Sequence, residues 1–235
     1  MKGLKRFSVW LFLVTFQNKE RRRWMLMSKR EVLTSIKDER LIEERRTQMV
    51  KGAVSLFKEK GFHRTTTREI AKSSGFSIGT LYEYIQSKED VLYLVCDSIY
   101  EEVRERLEEE MHLEGYTVQC LEKAITHYFK VINELQDEVL VMYQEAKSLS
   151  KDALPYVLKK ELEMVGMFET LIRGCIQSEQ FLLDDKEVKL LAHHIFVQGQ
   201  MWAFRRWWLQ QHYTLEEYTN IQLKFLLKDF SVQSV

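Results

Sequence analysis

The chain has 235 residues, 45% of them hydrophobic, 12% aromatic and 30% charged, with a formal net charge of zero. That is ample apolar material for one or two packed cores, which excludes a disordered chain. A single proline and nine glycines, set against long runs of 3.6-residue periodicity, exclude a strand-rich protein and predict an all-α fold.

The charge is unevenly spread. Residues 1–88 hold 20 Lys and Arg against 9 Asp and Glu, a net of +11, which leaves −11 on the remaining 147 residues. The basic end is the one suited to nucleic acid. Part of the excess sits in the leader, because residues 37–88 alone carry only +4. Cys96, Cys120 and Cys175 are widely spaced and odd in number, which disfavours a disulfide framework or a metal knuckle and suits a reducing cytoplasm. No cofactor or metal is expected.

Residues 1–36 form a leader. Lys2, Lys5 and Arg6 precede an apolar run from Phe7 to Phe16 that imitates a signal peptide. No small-residue cleavage site follows, and the next block, KERRRW, is strongly basic. The run falls short of the roughly 20 residues that span a bilayer. Three readings stand: an upstream start codon or disordered leader with the protein opening near Met25 or Met27, a basic arm on DNA backbone, and a membrane anchor. The first is favoured, so no membrane partner is expected.

A first helix is predicted from about Asp38 to Lys60, with Ile42, Met49, Ala53, Leu56 and Phe57 on one face and charges elsewhere. Gly61 ends it, and Phe62 plugs a small three-helix core. The stretch Thr65–Lys88, TTTREIAKSSGFSIGTLYEYIQSK, is the centre of the sequence. Thr66 followed three residues later by Glu69 is a capping box, which opens a short helix. Ile70 and Ala71 give it an apolar face, and Gly75 supplies the left-handed stop. Ser77 caps a second short helix in which Leu81 and Ile85 face inward, leaving Ile78, Gly79, Thr80, Tyr82 and Glu83 on other sides. Ser87 with Asp90 opens a third helix, and Lys88 in its first turn is poorly placed for the helix dipole and invites a phosphate. Two short helices joined by a glycine turn, the second showing small and hydroxyl side chains, are what a major groove accommodates.

The helix opened by Ser87 has no breaker until Gly115. Five more are predicted at about Val118–Leu135, Asp137–Ser148, Pro155–Gln177, Lys186–Gln211 and Leu215–Phe230, the last marked by a Thr214/Glu217 capping box. The final two are apolar over spans that one monomer cannot cover.

The runs TTTREIAKSSG and GTLYEYIQSKEDVL resemble the DNA-binding domain of the tetracycline-repressor (TetR) family, strongly from Lys37 to about Val95 and elsewhere in general architecture. The resemblance implies a DNA-binding domain at 37–86 and a helical effector-binding and dimerisation domain at 87–235. It also implies a homodimer that binds a palindromic double-stranded operator and represses, released by a small molecule, in the cytoplasm. By match to the motif, Thr66, Thr67, Tyr82 and Lys88 are phosphate-contact candidates. Arg68, Ser77, Ile78, Gly79, Thr80 and Tyr84 are candidates for groove or flanking contacts. Glu83 departs from the pattern by putting an anion on the reading helix. The last two helices pair with a partner's in that family, so Gly199, Trp202, Ala203, Ile221 and Phe225 are dimer-interface candidates.

Effector candidates are the soft and polar groups of the later helices: His127, Tyr128, Met142, Tyr143, Glu145 and Met164, then Met167, Phe168, Arg173, His194, Phe196 and Gln198. A hydrophobic effector is expected, a fatty acid, its coenzyme A thioester or a drug-like compound, acting by a tilt of the long Ser87 helix. An enzyme is poorly supported, since the chain has no G-x-S-x-G elbow, phosphate-cradling glycine loop or H-E-x-x-H helix. The alternative is a helical ligand-binding or interaction protein without DNA binding.

Overall fold

The computed structural model describes residues 32–113, 116–151, 153–178 and 182–228, so the apolar and basic runs of the leader lie outside the described residues. Ten α-helices and no strand are found among them. In chain order they are α1 Glu39–Lys60, α2 Thr67–Ser73, α3 Ile78–Tyr84, α4 Lys88–Leu113, α5 Val118–Glu134, α6 Gln136–Glu145, α7 Ala153–Gln177, α8 Asp185–Phe204, α9 Arg206–His212 and α10 Leu215–Leu227. A 3-10 turn, Ala146–Ser148, follows α6. No helix of the described residues is long and apolar enough to cross a membrane.

The helices fall into two compact units. Among the described residues, the first takes 32–98 and adds Leu140–Lys160; the second takes Ile99–Val139 and 161–228. The division therefore runs inside α4, α6 and α7 rather than at residue 87, and a piece of the later chain joins the reading head.

In the first unit, α1 starts where the Asp38 carboxylate accepts the Leu41 N–H, and it stops at Gly61, whose φ of +81° carries no Cβ penalty. Its buried stripe of Met49, Val50, Ala53, Val54 and Phe57 packs on α2 and α3. Gly52 lets α2 come close, because a Cβ there would lie 2.7 Å from Ser74 Oγ. Phe62 is 2% exposed and packs on Phe57, as a core plug should. The chain ahead of α1 is tied down as well. Thr34 Oγ1 and the Ser35 N–H donate to Glu83 O at 2.7 and 3.0 Å, and Arg46 Nη2 donates to Val32 O and Tyr84 O.

The second unit is built on Tyr128 of α5. Its ring stacks on Phe196 at 5.5 Å and meets Phe168 edge-on, and its hydroxyl donates to Phe196 O at 2.9 Å. Burial pushes that hydroxyl well above its ordinary pKa. On α8, Gly199 is the close-approach point: a Cβ would lie 2.4 Å from the Tyr128 ring. Trp202 is buried and donates to Asn133 Oδ1, and Ala203 is fully buried. These three face this unit's own core, which corrects their expected place on a dimer surface. The outward face of α8 carries Leu190 and Val197 instead, seven residues apart and thus on one side of the helix, and α10 shows Ile221 and Phe225.

The single helix expected over Lys186–Gln211 is two. Arg205 leaves helical geometry at φ −106°, ψ 19°, and α9 turns away with Arg206 paired to Asp137 at 2.5 Å and Gln210 bonded to Gln136.

Candidate nucleic-acid interface

The presentation of α2 and α3 is set by their caps. Thr66 Oγ1 accepts the Glu69 N–H, and the Glu69 carboxylate accepts the Thr66 N–H, so the predicted capping box is complete. Lys60 is ion-paired to the same carboxylate and, with Thr66, depresses its pKa from 4.5 to about 2. Ile70 and Ala71 bury the inner face of α2. Gly75 turns the chain at φ +75°, and the Phe76 N–H returns to Ala71 O at 2.8 Å. Ser77 Oγ accepts the Thr80 N–H at 3.0 Å and opens α3, whose Leu81 and Tyr84 are buried.

What remains outside is a continuous polar surface. Arg68, Ser77, Gly79, Tyr82 and Glu83 are exposed, and Thr67, Ile78 and Thr80 are half-buried. The Tyr82 hydroxyl lies 3.1 Å from Thr67 Oγ1, so one hydroxyl from each helix is brought to the same point. Thr66 is exposed while it caps. Hydroxyls, a guanidinium and helix-opening amides side by side can donate to phosphate oxygens, and the Ser77–Thr80 end can reach base edges.

Two sequence expectations are corrected. Tyr84 is 3% exposed and belongs to the core of the head, so it cannot reach a groove. Lys88, expected on a phosphate, turns inward: its ammonium donates to Phe62 O at 2.8 Å and Thr65 O at 2.9 Å, and it sits 4.2 Å from the Phe62 ring centre. The dipole argument identified the odd lysine but not its partner, since carbonyls left by the turn after α1 are invisible in sequence. Sequence reasoning also missed Thr34, Ser35 and Arg46, which brace the end of α3. Hydroxyls ahead of a predicted helix carry no periodic signal that would single them out.

The effector candidates divide between the units. Met142, Tyr143 and Glu145 belong to the first, and Glu145 accepts the Phe62 N–H at 3.1 Å, so it serves the reading head. In the second unit, Tyr128, Met164, Phe168 and Phe196 are buried together with half-buried His127, Met167 and Gln198. Arg173 is engaged by Asp185 at 2.5 Å and Glu169 at 3.6 Å, and His194 is exposed. Neither is free within an apolar core.

Known proteins agree with this geometry. The family described as "Bacterial regulatory proteins, tetR family" matches residues 50–93, from the middle of α1 into α4. The HTH-type transcriptional regulator HbdR of Aromatoleum sp. (strain CIB) is 28% identical over 205 residues, covering 87% of this chain and 89% of that protein. The fatty acid metabolism regulator protein of Bacillus subtilis (strain 168) is 23% identical, covering 63% and 76%. Among solved structures, a tetR-family regulatory protein from Rhodococcus RHA1 superposes with a TM-score of 0.69 at 20% identity, covering 78% of this chain and 95% of that one. AibR in complex with isovaleryl coenzyme A and operator DNA gives 0.65 at 17% identity, covering 77% and 97%. With its capped helix-turn-helix on an otherwise all-helical body, the chain carries the tetR-family pattern over residues 50–93 and is similar in sequence and fold to HTH-type transcriptional regulators.

Proposed function

We propose that the protein is a homodimeric repressor that occludes a palindromic operator and is released by a hydrophobic small molecule, with a coenzyme A thioester as the first class to test. The observation that carries DNA reading is the outward surface of α2 and α3, where the Thr67 and Tyr82 hydroxyls lie 3.1 Å apart and the exposed Ser77 caps α3. Two such heads, one per subunit, would enter successive major grooves of a two-fold site. Dimerisation is supported by the open apolar stripes of α8 and α10. Leu190 is 56% exposed and Phe225 70%, levels unusual for large apolar groups that are so regularly spaced.

The effector class is supported by the aromatic cluster around Tyr128 and by two relatives, AibR, seen with isovaleryl coenzyme A, and the B. subtilis fatty acid metabolism regulator. Repression and release would be tested together by gel shift on the promoter fragment flanking the protein's own gene. Salt-sensitive retardation that a graded series of acyl-CoA thioesters abolishes, and free coenzyme A does not, is the expected result. Absence of retardation at any salt concentration would remove DNA binding; retardation indifferent to every thioester would remove this effector class.

A further inference from the structure

The peptide unit of Phe62 sits in the turn that joins α1 to α2, five residues before the first residue of the DNA-facing pair of helices. It is gripped from both sides. Its carbonyl accepts from Lys88 Nζ at 2.8 Å, on the first turn of α4, and its N–H donates to Glu145 Oε1 at 3.1 Å, on the last turn of α6. The charges match the polarity of the amide, an ammonium on the oxygen and a carboxylate on the N–H, and bonds of this charge-assisted kind are the stronger ones. The same lysine holds Thr65 O at 2.9 Å, immediately ahead of the Thr66 cap. Next to Glu145, Ser148 Oγ lies 3.3 Å from His63 Nε2. Both α4 and α6 continue through the division between the two compact units, at Ser98/Ile99 and at Val139/Leu140.

We infer that Glu145 is a positioning residue for DNA reading: it sets the pose of α2 and α3 through the Phe62 amide, and it is the releasable half of the grip. Lys88 makes two carbonyl bonds from the start of a long helix. Glu145 makes its bond from the last residue of a ten-residue helix, where α6 gives way to a 3-10 turn. Final turns of helices rearrange at low cost, so a change in the pitch of α6 withdraws the carboxylate while the lysine stays. This adds a second input to the tilt of the long helix, and it rests on the DNA-reading function proposed above.

The test uses the full chain and a duplex that the wild-type protein selects from a random-sequence pool. Affinities for that duplex and for a scrambled one of equal length are compared for wild type, Glu145→Ala and Glu145→Gln, with thermal stability and amide exchange measured on the same samples. Glu145→Ala is expected to weaken selected-duplex binding by roughly tenfold, in line with the loss of one hydrogen bond to a charged group. Scrambled-duplex binding should stay within about twofold, because phosphate contacts carry it. Glu145→Gln, which keeps an acceptor oxygen, should recover most of the loss, and the Phe62 amide should exchange faster in the alanine variant only. Wild-type affinity in Glu145→Ala, or an equal loss on both duplexes together with a lower melting temperature, overturns the inference. A wild-type chain that selects no duplex sinks the regulator reading and this inference with it, whereas an unchanged Phe62 exchange rate in Glu145→Ala sinks the grip alone.

Discussion

Lys88 illustrates how a residue can stand at a motif's phosphate position and yet serve the fold. Of its two carbonyl acceptors, Phe62 O also takes the Thr65 N–H at 3.2 Å, whereas Thr65 O has no other donor among the described hydrogen bonds. Lys88→Met keeps the aliphatic stem but strips both bonds, and leaving the Thr65 carbonyl unpaired costs about 1–3 kcal/mol. A lowered urea midpoint with an unchanged salt slope of DNA binding is the expected outcome; a slope flatter by one unit at wild-type stability would restore the phosphate role. Glu69 gives a pH counterpart. Its carboxyl is held at about 2 by Lys60 and Thr66, below its ordinary 4.5. A depressed pKa stabilises the fold above the unfolded value and is lost as pH falls through the folded one, so this contribution is complete above about 4.5 and gone near 2. Acid titration of Glu69→Gln should therefore show a shallower loss of stability across that window than wild type.

At the level of helices, the caps and the turn glycine are the determinants that one substitution can isolate. Gly75→Ala meets no neighbour, as nothing lies within 4 Å of the added Cβ, so its whole effect comes from forcing a side chain to φ +75°. That should cost about 1 kcal/mol in denaturant unfolding. Ser77→Ala removes the cap of α3 at a similar cost of about 1 kcal/mol, and because Ser77 is exposed at the reading edge it should also alter which operators are preferred. A uniform loss over all operator sequences would place Ser77 in capping alone.

For the whole molecule, two substitutions on the last helices separate folding from assembly. Gly199→Val drives a methyl into the Tyr128 ring, already only 2.4 Å from where a Cβ would stand, so it should destabilise the subunit by several kcal/mol in the manner of an overpacked core. Phe225→Arg changes a side chain that is 70% exposed, so the subunit should melt as wild type while light scattering reports a monomer. An intact dimer in Phe225→Arg would move the interface off α10.

The sequence by itself determined what local chemistry determines. Thr66 with Glu69, Ser77, Gly75 and Thr214 with Glu217 announced the helix ends, because caps and left-handed glycines act within four residues of themselves. The all-α class followed from periodicity, and the TetR resemblance followed from the run of residues between Thr65 and Leu92. Only the tertiary structure decided where the faces point. A lysine in a helix's first turn, a glutamate at a helix's end and a glycine in mid-helix look the same in sequence whether they meet solvent, ligand, a partner or the chain's own backbone. Lys88 and Glu145 found the two ends of one amide 26 and 83 residues away, and Gly199 found a tyrosine 71 residues away. Contacts across such separations are fixed by how helices pack, and no local pattern encodes them.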